Sequence, residues 1–365
     1  MERRTFLSGL GAITGMLTVP AYAETFKSGA SWVSTFGNRD GTFGGAVIDL
    51  NLNVIPVLAS EFRLHDLVLH PHRAEMCAPA RRSKSMFHVL SGDNKIQTLV
   101  APSRRHYFGH GTYAPDGEFL YLAENDFQDG RGVIGIYDPN DRYRRLGEIS
   151  AGGLGPHQIF ALPDGKHLAV AVGGILTHPD TGRAKLNLDT MSSRLCLIDI
   201  KTDRVVDEYL PASGHQNLSL RHIDVSADGA ILFGSQNQKR NGIHKSLVGL
   251  WKPGTGASLF SPPEASWAVF NGYVGSVAFD RSNKFAAASS PRGNLVAFWN
   301  VSSREYIGQF AGRDVCGIAR TSQPGQFLIT SGRGNLAVVD VSADQVQITR
   351  ESSSNLRFDN HCRHI

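Results

Sequence analysis

The chain has 365 residues, 41% of them hydrophobic and 19% charged, with 39 glycines and a formal net charge of +4. A surplus this small, scattered without a basic run, argues against nucleic acid as a partner. The length is too great for one ordinary sandwich and suits a single closed repeat domain.

Residues 1–23 read as an address. Arg3 and Arg4 are followed by Thr5, Phe6 and Leu7, then by a mildly apolar stretch to Val19 and the small-residue site Ala21-Tyr22-Ala23. This is the pattern of a twin-arginine signal peptide. It predicts export by the twin-arginine translocase to the periplasm, with residues 24–365 as one mature domain. The apolar stretch is too short and too broken to remain as a stable membrane span. Cys77, Cys196, Cys316 and Cys362 have no Cys-x-x-Cys spacing, and Cys196 and Cys316 lie in apolar runs. Buried free thiols are expected.

From residue 45 onward one unit recurs seven times: an alternating apolar run, a polar turn, and a second alternating run. The runs are 45–50, 85–90, 132–138, 194–199, 246–251, 293–299 and 334–340. Period-2 alternation between Gly, Asn and Asp signals antiparallel hairpins. Asp49, Asp138, Asp199, Asn300 and Asp340 hold equivalent places, which sets a repeat of about 48 residues, the spacing of β-propeller blades. The predicted fold is all-β: a seven-bladed β-propeller with four antiparallel strands per blade.

Six further runs, near residues 64–71, 110–117, 157–165, 222–229, 274–280 and 315–320, lead into turns that are twice Pro-Asp-Gly. They are the expected innermost strands. The seventh is missing ahead of residue 30, so the C-terminal segment around 358–364 should complete the first blade and close the ring, abolishing free edges.

A four-stranded meander places the entry to each inner strand and the loop between second and third strands on one face. His65, His110, His157, His222 and His361 therefore converge near one mouth of the central channel. Neutral imidazole is a common transition-metal ligand, and one ion takes three or four donors. His110, His157 and His222 are the expected metal ligands because they start successive inner strands beside the richest loops. His65 and His361 are expected further out or facing an anion. The loops on that face add Glu124, Asn125, Asp126 and Arg131, then His178, Arg183, Lys185, Asn187 and Asp189 in an insertion at 173–194, and Arg240. Arginines there could clamp an anionic ligand. The plainer alternative is that each histidine caps its strand against the neighbouring blade.

Glu124-Asn-Asp, Gly130 to Asp138, Gly155-Pro-His157, Thr177-His-Pro-Asp, Lys185 to Met191, Arg221-His222, Ser290 to Asn294 and Asp359-Asn-His361 resemble one bacterial group. It is the exported propeller family catalogued as domain of unknown function 1513, and the resemblance covers essentially the whole mature chain. Members are typically encoded beside imelysin-type and other iron-regulated exported proteins. The resemblance implies a role in iron acquisition and no established activity or catalytic residue. The expected function is a periplasmic binding module that takes iron or another transition metal, haem or an anionic iron chelate, or presents it to a periplasmic iron-uptake partner protein. The alternative is a metal-assisted hydrolase of the lactonase type.

Overall fold

The computed structural model describes residues 30–365 except 83, 183, 240–245 and 264–265. The signal segment and the candidates Arg183 and Arg240 thus lie outside the described residues. Among those described, 28 strands form seven four-stranded antiparallel sheets, with two short 3-10 turns. The ring is a seven-bladed β-propeller. Blades two to seven each use four consecutive strands. Blade one is completed by the C-terminal strand Phe358–His364, which pairs with Ala30–Gly37.

The recurring Asp/Asn has a physical job. Asp138 Oδ1 accepts from the backbone N–H of Asn140 and Asp141, Asp199 Oδ1 from Thr202, Asn300 Oδ1 from Ser302 and Ser303, and Asp49 Oδ1 from Asn51 and Asn53. A side-chain oxygen that bonds the backbone two to four residues on closes the outer hairpin locally. The apolar runs just before these turns are the third strands, and their inward residues fill the core between neighbouring blades: Trp251 and Trp299 are at most 1% exposed. Truncating such a side chain costs about 3–5 kcal/mol. The fourth strands are mostly exposed, as in Ile96–Val100 and Val346–Ser353.

The inner strands are Val68–Leu69, Arg105–Tyr113, Pro156–Ala161, Leu218–Val225, Ser276–Phe279, Val315–Arg320 and Phe358–His364. Several are irregular in a consistent way. The register shifts between Tyr107 and Gly111, between Pro156 and Ile159, between Leu220 and His222, and, against Ser34–Phe36, between Phe358 and Cys362. Each shift includes or ends on one of the predicted histidines. All four described cysteines are buried and free. Among the described residues no helix is long and apolar enough to cross a membrane.

Candidate metal centre

A β-bulge re-aims a side chain that regular pleating would send elsewhere. The four bulges named above turn His110, His157, His222 and His361 toward the ring axis, and His65 joins them from the segment entering blade two. Gly109 makes room for this convergence. Its φ is +95°, and a Cβ there would come within 2.6 Å of the His65 side chain, so any other residue is strained and obstructed.

The five rings form one cluster. Centroids are 4.4 Å apart for His110 and His361, 4.7 Å for His110 with either His65 or His157, 4.8 Å for His65 and His361, 5.0 Å for His157 and His222, and 5.1 Å for His222 and His361. Two triads bring their ligand nitrogens within 4.8 Å of one another: His65, His110, His157 and His110, His222, His361. His110 belongs to both. His65 and His361, expected further out, thus stand among the nitrogens that come closest together. None of the five rings is more than 6% exposed, so the cluster is sealed within the channel and not spread around an open mouth. Four rings from inner strands and the His65 ring from the segment entering blade two meet and pack against one another, which excludes water that open funnel walls would admit.

Burial keeps these imidazoles neutral. Desolvation holds His65 down to about 4 and depresses His110, and it holds His157, His222 and His361 well below the usual histidine range, with the Arg221 guanidinium adding to the effect on His157 and His222. His110 Nε2, His361 Nε2, His157 Nδ1 and His222 Nδ1 are buried without a hydrogen-bond partner. Buried polar atoms are almost always satisfied, so four such atoms in one cluster are exceptional.

Two carboxylates orient the cluster from behind. Asp66 Oδ2 accepts from His110 Nδ1 at 2.9 Å, which leaves His110 Nε2 as a lone-pair donor. Asp66 is itself held by Arg363, whose Nε donates to Oδ1 at 2.8 Å. Asp359 Oδ1 lies 3.3 Å from His65 Nδ1, and its Oδ2 accepts from Arg63 Nε at 2.8 Å and Arg81 Nη1 at 3.2 Å. A carboxylate behind an imidazole is the usual outer support of a metal-binding histidine. Sequence reasoning gave no role to Asp66, Asp359, Arg363 or Arg63. The available signal was adjacency: both acids lie within two residues of a predicted histidine.

The other candidates sit elsewhere. Glu124 is buried within blade three, accepting from Tyr137 at 2.6 Å and Arg145 at 2.8 Å. Asp126 pairs with Arg105 and Arg131, and Asn125 donates to the Thr177 carbonyl, tying the 173–194 insertion back to blade three. His178 caps the short turn Pro179–Thr181. Asn187 staples its own loop through Leu176 N and Gly174 O, Lys185 reaches Gln238 of blade five, and Asp189 is exposed. The insertion therefore spans from blade three to blade five, and its polar residues mostly hold the loop. A cavity of about 140 Å³ abuts His361, lined also by Gln158, Asp224, Ser276, Arg320 and Arg363.

Solved structures confirm the architecture. A chain in "Crystal Structure of Mitotic Checkpoint Complex" is similar at TM-score 0.56 and 12% identity, over 82% of this chain and 80% of that one. "Structure of U3-55K" is similar at TM-score 0.61 and 10% identity, over 83% and 85%. At such identity the likeness is one of fold alone. No curated protein matches the chain. Residues 59–365, which carry all five histidines and both supporting acids, match the family described as "Protein of unknown function (DUF1513)", and the chain belongs to that family.

Proposed function

We propose that this protein is an exported binding module whose five-histidine cluster holds one transition-metal ion at the propeller axis. The observation that carries the reading is the set of four buried, unpartnered ring nitrogens on neutral imidazoles, with Asp66 behind His110 and Asp359 behind the neighbouring His65. The shared ligand would be His110 through Nε2, completed by His65 and His157 or by His222 and His361. A bare ion suits the site better than haem or a bulky chelate: small-molecule pockets run to about 300–1,000 Å³, against about 140 Å³ beside His361. The hydrolase alternative draws less support, since Asp66 and Asp359 are engaged by arginines and the rings are sealed from water. The role in iron acquisition, with delivery to a periplasmic partner, rests on the resemblance to a family typically encoded beside imelysin-type and other iron-regulated exported proteins.

Purified protein dialysed against a transition metal should retain about one ion per chain by elemental analysis. His110→Ala should lose it, while His72→Ala, at an exposed loop position, should keep it. Retention by a folded His110→Ala variant would refute the site. Export carries its own test. Arg3→Lys with Arg4→Lys keeps the charge but should leave the precursor in the cytoplasm; normal periplasmic accumulation would point to the general secretory route.

A further inference from the structure

We infer that the ion this cluster selects is copper(I), not iron. The inference rests on the metal-binding reading above and concerns which ion the cage is built for. It follows from the donors, the charge around them and the burial.

The donors are imidazole nitrogens alone. The two nearby carboxylates point their oxygens at guanidiniums and at the back of His65 and His110. The neighbouring thiol of Cys316 is turned to main-chain carbonyls, with Sγ 3.2 Å from Asp359 O. Iron(III), a hard ion, seeks carboxylate and other oxygen donors, whereas imidazole suits zinc, copper, nickel and iron(II) alike, so the donors alone exclude only iron(III).

Charge narrows the choice further. Around the cluster stand the carboxylates of Asp66, Asp224 and Asp359 against the guanidiniums of Arg63, Arg81, Arg221, Arg320 and Arg363. The neutral rings contribute nothing, so the surroundings are already positive before any ion enters. Burying an ion costs free energy that grows with the square of its charge in the Born picture, of order 20 kcal/mol for a unit charge in a dry interior. A divalent ion in this cage would therefore need an anion as companion, and no described carboxylate is free of a guanidinium here. A monovalent ion faces roughly a quarter of that cost. Copper(I) is the monovalent transition ion that accepts nitrogen donors and is content with three of them, and three is the number each triad supplies. Zinc, the obvious rival for imidazoles, prefers four ligands, with water or an anion in the last place when only three are protein donors. The sealed rings and net positive shell oppose that arrangement.

The test is a competition titration of the metal-free mature protein under anaerobic conditions. Copper(I) is buffered by a chromophoric chelator, and zinc(II) and iron(II) are titrated separately with their own indicators. One copper(I) per chain should bind at least 100-fold more tightly than either divalent ion. X-ray absorption should show a shell of about three nitrogens and no sulfur. His110→Ala should weaken copper(I) by 100-fold or more, and His157→Leu serves as the second variant should the first fail to fold. Zinc(II) or iron(II) binding within 100-fold of copper(I), or a sulfur in the shell, overturns the copper inference and leaves the histidine site or the metal reading standing. Failure of all three ions to bind overturns both.

Discussion

Deleting residues 358–365 is expected to abolish cooperative folding. This segment is the inner strand of blade one, registered through Trp32–His364, Val33–Arg363, Ser34–Cys362 and Phe36–Phe358. It buries Phe358 and Cys362 in the same core as Trp32 and Leu328, so it also joins blade one to blade seven. Its loss would leave the edge of Ala30–Gly37 unpaired and strip Asp66 of Arg363. Arg63 and Arg81 would lose Asp359. Leaving one member of a buried ion pair alone costs about 3–5 kcal/mol, and emptying core positions adds comparable amounts. The whole stability of a domain is only about 5–15 kcal/mol. Circular dichroism and thermal melting of the truncated chain should show no cooperative transition near that of the intact protein. Removing Ile365 alone, which gives up one backbone bond to Ser31 O, should shift the melting temperature by no more than a few degrees. A truncation at 358 that melts normally would mean the ring closes by another route.

The blades were readable in the sequence because their determinants are local. Alternation needs only neighbouring residues, and Asp138 or Asn300 closes its turn with atoms two and three positions away. The histidines could be assigned to one end of the channel because each stands a fixed distance before a turn. What could not be read was where the rings point. That depends on bulges, whose existence is set by how an inner strand pairs with the next one, as between Tyr107 and Gly111. Regular pleating would give no reason for His110 and His361 to meet. The roles of Asp66 and Asp359 were hidden for the same reason, since their arginines come from positions about 300 residues distant or from other loops. Glu124 shows the opposite situation. Its charge and position on the predicted face suggested a ligand, but Tyr137 and Arg145 occupy its oxygens.

Acid should destabilise the metal-free protein steeply, and the cluster sets the window. A histidine in an unfolded chain titrates near 6.5, while His65 folded is held down to about 4 and the other four rings are also depressed, chiefly by burial. Between those values the unfolded state binds protons that the folded state refuses, so stability is complete above pH 6.5 and falls as pH drops toward 4. Each such histidine contributes a slope of about 1.4 kcal/mol per pH unit within its window. Five acting together would remove several kcal/mol by pH 5, a large part of a typical domain's stability. Asp66 and Asp359 do not offset this, because their guanidinium partners hold both carboxyls well below the usual range and they stay ionised throughout. Urea melts at pH 7.5, 6.5, 5.5 and 5.0 should therefore show a progressive loss that begins near 6.5. His157→Leu replaces one titrating ring by an apolar one and should flatten the slope by about one proton's worth. A bound ion occupies the same lone pairs that protons would take, so metal-loaded protein should hold its stability to lower pH. Equal stability at pH 7.5 and 5.0 in the metal-free protein would show that the five rings are not held neutral by burial, and the physical basis of the site would fall with it.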